Sequence, residues 1–183
     1  MGLNEMLFKK TPPQYHDDLG ALGMAGTFVQ HSRIATALSR YIQEELDSET
    51  DGYYEAVVEA RARKGAKAKI YDVCIKSFTE DIENDWGKNI IIIEIVHGGI
   101  DFEKAKTRIL ETFVEDTNLC EGYIYDYKDK VWLGYKKRKG TGQIDTFTTG
   151  KESYTTYNFG IDLESKILKY YHKLKIYKRF MKH

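Results

Sequence analysis

KAKIYDVCIKSF (67–78), a polar and acidic loop, NIIIIEIVHGG (89–99) and DFEKAKTRILETF (101–113) together decide the fold of this chain. The first two segments are short apolar runs rich in Ile and Val, which predicts strands and not helices. Each run is interrupted once by a carboxylate, Asp72 in the first and Glu94 in the second. Side chains alternate along a strand, so Ile70, Asp72 and Cys74 share one face, as do Ile90, Ile92, Glu94 and Val96. A hairpin centred near Glu83 and Asn84 pairs Asp72 with Ile95, next to Glu94. Two carboxylates at the edge of an apolar sheet are costly to leave unpaired, and a cation is their natural partner.

Outward from that stretch, the spacing of Ile34, Ala37, Leu38, Tyr41, Ile42 and Leu46 predicts a helix, with Ser32 as its N-cap. A strand follows over 53–63, before the Asp72 strand. After His97-Gly98-Gly99, Asp101 caps a helix whose buried stripe is Phe102, Ala105, Ile109, Leu110 and Phe113. EGYIYDYKDKVWLGYKK (121–137) reads as a hairpin turning at Lys128-Asp129. The Gly- and Thr-rich residues 138–152 read as a loop or edge region. The expected order is helix, three strands, helix, two strands, helix: an α+β domain with a mixed sheet flanked by helices. Residues 1–28, which hold both prolines, are expected to form an N-terminal arm. Residues 29–160 form the core, and 161–183 a basic C-terminal helix packed on the core or on a partner.

The chain has 183 residues, the size of one domain. Lys+Arg and Asp+Glu balance at 28 each, so net charge gives no global argument for nucleic acid. The charge is nevertheless uneven. Residues 166–183 carry seven Lys or Arg and no carboxylate, while Glu80, Asp81, Glu83 and Asp85 crowd the loop between the two acid-bearing strands. The two cysteines, Cys74 and Cys120, form neither a metal-ligand spacing nor a disulfide framework. No run approaches the ~18 apolar residues of a membrane span, and no apolar signal segment opens the chain. A cytoplasmic protein is the expectation.

The succession of HSRIATALSRYI (31–42), IYDVCI (70–75), IIIIEIVHGG (90–99), DFEKAKTRIL (101–110) and EGYIYDY (121–127) resembles the PD-(D/E)XK, or restriction-endonuclease-like, core. It is most similar to the widespread bacterial family named only as "putative restriction endonuclease". The resemblance covers roughly Val29 to Tyr135 and lies in the order and spacing of short motifs. It implies a metal-dependent nuclease hydrolysing DNA phosphodiesters, with Asp72 and Glu94 holding Mg²⁺ or Mn²⁺. The sequence departs from the pattern in three places. Tyr71 stands before the first acid where a proline is usual, and His97-Gly98-Gly99 replaces a serine and proline. Val96 occupies the place of the third catalytic residue, a lysine. In the bacterial family that lysine has moved to the following helix, which makes Lys106, and after it Lys104, the candidates.

Glu45, one turn after Tyr41 on the first helix, is a candidate third metal ligand. Lys136, Lys137, Arg138 and Lys139, with Lys173, Lys175, Lys178 and Arg179 of the terminal segment, are candidates to grip phosphates. The bland alternative for the last four is an amphipathic helix with lysines outward. DNA is the expected partner, with a homodimer consistent with cutting both strands, and no membrane. A catalytically inactive nuclease-fold protein, serving as a nucleic-acid-binding or assembly module, is the competing reading.

Overall fold

The computed structural model describes residues 22–49, 53–61, 69–78 and 87–167. The elements follow in the order α1 (Leu22–Glu49), β1 (Tyr54–Arg61), β2 (Ile70–Ser77), β3 (Lys88–Val96), α2 (Gly99–Glu115), β4 (Glu121–Asp126), β5 (Val131–Lys137), β6 (Ile144–Phe147) and a 3₁₀ turn over Lys151–Ser153. The six strands form one mixed sheet in sequence order. All neighbours are antiparallel except β3 and β4, which run parallel with α2 as their crossover.

Helices cover both faces. On one, Ile34, Ala35, Leu38, Ile42 and Leu46 of α1 pack against Val73, Ile75, Ile91, Ile93, Ile95 and Tyr123. On the other, Ala105, Ile109 and Phe113 of α2 pack against Cys74, Ile92, Val96, Ile124 and Leu133. This double cover explains the unbroken isoleucine run of β3, because a strand buried on both faces has no polar side to present. Gly122 of β4 leaves room for Ile109 of α2: a Cβ there would lie 2.6 Å from Ile109 Cγ2.

Several boundaries differ from the sequence expectation. Helix α1 begins at Leu22, inside the stretch read as an irregular arm, so Ser32 is an interior helical residue and not its cap. Helix α2 is entered through Gly98 at φ 68°, a left-handed backbone that glycine adopts without penalty. Asp101 sits in the first turn, suited to the helix dipole, and does not cap it. Residues 144–147, within the stretch read as a loop or edge region, form the sixth strand, at the edge of the sheet. Of the expected terminal helix, residues 163–167 are helical; the remainder, with the arm before Leu22 and the acidic loop, lies outside the described residues. Among the described residues no helix is long and apolar enough to cross a membrane.

Candidate active site

The β2–β3 pairing differs by one residue from the register read off the loop. Val73 faces Ile93 and Cys74 faces Ile92, with a shift between Ile75 and Lys76. Continued one step, that register sets Asp72 against Glu94, whereas Asp72 against Ile95 would have placed the two acids on opposite faces. The regular alternation also breaks here. Cys74 packs on the α2 side and Val73 and Ile75 on the α1 side, yet Tyr71 joins the α2 side. Asp72 sits at that slip, where the ladder between β2 and β3 ends, and its side chain takes over from the backbone. Asp72 Oδ2 accepts a hydrogen bond from the Ile95 amide at 2.7 Å.

Each helix adds one cationic or protonatable group. From α1, His31 Nε2 lies 3.1 Å from Asp72 Oδ2. From α2, Arg108 Nη1 lies 3.2 Å from Glu94 Oε1 and donates to the Ile70 carbonyl at 3.3 Å. Tyr71, fully buried, hydrogen-bonds Thr112 and so fastens α2 to the strand beside Asp72. Burial pushes the Tyr71 phenol up to about 12, so it stays neutral.

Glu94 is 3% exposed. Its pKa is pushed up from 4.5 to about 8, first by burial and then by the charge of Asp72, with Arg108 pulling the other way. Glu94 Oε1 makes no hydrogen bond despite the nearby guanidinium, so the Arg108 contact is ionic and not aimed along an N–H. A buried carboxylate oxygen without a hydrogen bond, beside a second carboxyl, is a hard oxygen acceptor of the kind Mg²⁺ or Mn²⁺ takes. Mg²⁺ characteristically uses one or two carboxylates and fills the rest of its octahedron with water or phosphate oxygen. Asp72 and Glu94 therefore fit as its ligands. Among the described residues no group of three or more His, Cys, Asp and Glu forms a cage made of protein alone.

The other candidates from the sequence lie elsewhere. Lys106 pairs with Glu103 at 2.8 Å and rests over the Phe102 ring, and Lys104 lies 3.9 Å from Asp101, so neither contacts the acid pair. Helical geometry accounts for this correction. Ala105, Arg108, Ile109 and Thr112 form the stripe that meets the sheet, and positions 104 and 106 fall to either side of it. Glu45 is bound by Lys166. It stands fourteen residues beyond His31 on the same helix, roughly 21 Å along the axis, too far to join Asp72. Cys74 is buried, with its thiol pushed up to about 12, and is inert as a nucleophile.

Within the basic run, Lys136 is 3% exposed and donates to the Thr155 carbonyl at 2.9 Å, so it is not a surface phosphate grip. Arg138 is held by Asp145 through paired contacts of 2.8 and 3.2 Å. Lys137 donates to the Thr117 carbonyl, and Lys139 is exposed. Lys173, Lys175, Lys178 and Arg179 lie outside the described residues. His31 and Arg108 were missed by sequence reasoning. Each acts only through the strand its helix covers, His31 on Asp72 and Arg108 on Glu94.

Neither a scan of protein-family models nor a search of curated proteins returns a match. Among solved structures, the chain is similar to a crystal structure described as "a putative nuclease belonging to DUF820" from Anabaena variabilis ATCC 29413. The TM-score is 0.48 at 11% identity, covering 75% of this chain and 81% of that one.

Proposed function

We propose that this chain is a divalent-metal-dependent nuclease acting on DNA phosphodiesters, with Asp72 and Glu94 holding Mg²⁺ or Mn²⁺ on a restriction-endonuclease-like core. The observation that carries this reading is the meeting of the two acids at the parting ends of β2 and β3. There Glu94 keeps a buried oxygen without a hydrogen bond. DNA as substrate comes from the order of motifs along the sequence.

When bound, such a cation neutralises charge on the scissile phosphate and makes an attacking water more acidic. The chain's own residues do the positioning. The Ile95 amide and His31 fix Oδ2 of Asp72, which sets the direction of its carboxylate. Tyr71 and Thr112 hold α2 close, and with it Arg108. The Arg108 side chain is 40% exposed and borders an open groove of about 780 Å³ along α2, lined also by Gly99, Ile100, Lys104, Thr107 and two carboxylates, Glu103 and Glu111. From there it can donate to a non-bridging phosphate oxygen, the role the sequence resemblance assigned to a lysine.

The test is cleavage of supercoiled DNA with Mg²⁺ or Mn²⁺ by the wild type, Asp72→Asn and Glu94→Gln, purified in parallel. Cleavage by the wild type alone is expected. Equal cutting by all three would refute the assignment. A second reading, a nucleic-acid-binding protein that does not cut, is favoured by one observation: Arg108 already supplies Glu94 with a positive charge. Salt-dependent DNA binding by the wild type with no cleavage in either metal would select it.

A further inference from the structure

Helix α1 is fixed to the sheet by more than its apolar stripe. Ser39, buried, donates from its hydroxyl to the Ala56 carbonyl at 2.8 Å. Gln43, one turn on, accepts at Oε1 from the Ala56 amide at 2.7 Å. Its Nε2 faces two acceptors, donating to Asp47 Oδ1 at 2.7 Å and reaching the Tyr54 carbonyl at 3.5 Å. With a donor on one side of the amide and acceptors on the other, the Gln43 side chain has one orientation.

Both backbone groups of Ala56 are thus taken by α1. Among the described residues β1 is an edge of the sheet, and the groups that it turns away from β2 have no strand to pair with. Ser39 and Gln43 stand in for one at this point. Apolar contact is non-directional, whereas two hydrogen bonds to one backbone residue tie the helix to a single place on the strand.

The consequence lies nearer the start of the helix. Gln43 meets Tyr54 and Ser39 meets Ala56, so α1 runs against β1 and in the same sense as β2. From Ser39 back to His31 is roughly 12 Å of helix axis. Ala56 faces Ile75, and from Ile75 back to Asp72 is roughly 10 Å of strand. The two spans agree, and His31 Nε2 ends 3.1 Å from Asp72 Oδ2. A slip of one residue would turn the helix by about 100° and take the imidazole off the carboxylate.

We infer that Ser39 and Gln43 are positioning residues, which set α1 along the sheet so that His31 meets Asp72. Their bearing on catalysis rests on the reading of Asp72 as a metal ligand; the placement of His31 does not.

The experiment is histidine-ring NMR with Mn²⁺ titration of the full chain, for the wild type, Ser39→Ala, Gln43→Leu, the two combined, and His31→Gln, which assigns the ring signal. The combined variant should shift the His31 signal in the same direction as Asp72→Ala does. Arg40→Ala, which breaks an exposed pair with Glu44 on the same helix, should leave it in place. The combined variant should also weaken Mn²⁺ binding about tenfold, as His31→Gln does, in line with loss of a partner that orients a ligating carboxylate. It should weaken binding no further where His31 is already replaced. A His31 signal that stays in place in the combined variant, folded by circular dichroism, overturns the inference. So does an equal weakening of Mn²⁺ binding with and without His31. If the combined variant does not fold, the single variants decide: each should shift the signal part of the way, and no shift in either overturns the inference. A wild type that binds no Mn²⁺ would overturn the metal reading alone, since the ring signal still decides the placement of His31.

Discussion

Glu94 holds a carboxyl in an apolar layer beside a second acid, and its titration exposes the cost. Its folded pKa of about 8 lies above its ordinary 4.5. Between those values the folded chain keeps a proton that the unfolded chain releases, so stability falls as pH rises through that window and levels off above it. Glu94→Gln removes the charge. Without metal, it should flatten this slope and raise stability at pH 9 by roughly 2–4 kcal/mol, measured by urea unfolding in EDTA at pH 5 and pH 9. An equal change at both pH values would contradict the assignment.

The cation beside Glu94 gives a second contrast. Arg108→Gln should lower the cleavage rate about 10²-fold, in line with loss of one positioned donor, while Lys104→Ala and Lys106→Ala, whose partners lie on their own helix, should change it less than about threefold. Comparable losses in all three would return the role to a lysine. Asp72 and Glu94 were legible in the sequence because each interrupts an apolar run. His31 and Arg108 were not, because their importance arises only when α1 and α2 close over opposite faces of the sheet.

At the scale of elements, β2, β3, α2 and the β4–β5 hairpin were legible, since periodicity and β-branched content agree over each. The start of α1 was not. Gly23 and Gly26 are weak helix formers, and the helix continues through them regardless. Strand β6 was hidden by its glycine and threonine neighbours; pairing with β5 makes it a strand, not its own composition. The β2–β3 register differs most from the sequence reading next to the loop, where Lys76 faces Asn89 and not Ile91, and the shift between Ile75 and Lys76 brings it to within one residue at the acid pair. The shift between Ile75 and Lys76 cannot be seen by counting outward from a turn.

The packing of α2 on β4 offers a direct test of the layer that carries Arg108. Gly122→Ala pushes a methyl into Ile109, and should cost about 1–3 kcal/mol in denaturant unfolding. A neutral result would mean that α2 stands farther from the sheet.

Over the whole molecule, a mixed sheet between two helices keeps the acid pair and the basic run apart. The acid pair lies where β2 and β3 part, and the run from Lys136 to Lys139 begins where β5 ends, beside the start of β4. The mixed sheet flanked by helices was legible in the order of segments, whereas this separation was not, because it depends on the pairing of β5 with β4 and β6. The terminal lysines belong to the same scale. Removing residues 168–183 should weaken DNA binding and reduce its salt dependence, because fewer neutralised phosphates release fewer counterions. An unchanged slope of affinity against salt would exclude the tail from contact.

The central claim is that Asp72 and Glu94 together bind a divalent cation, and Mn²⁺ titration followed by electron paramagnetic resonance tests it most directly. The account predicts saturable Mn²⁺ binding by the wild type, competed by Mg²⁺ and lost in both Asp72→Asn and Glu94→Gln while the variants remain folded. Mn²⁺ binding that is absent from the wild type, or equal in all three proteins, would contradict it.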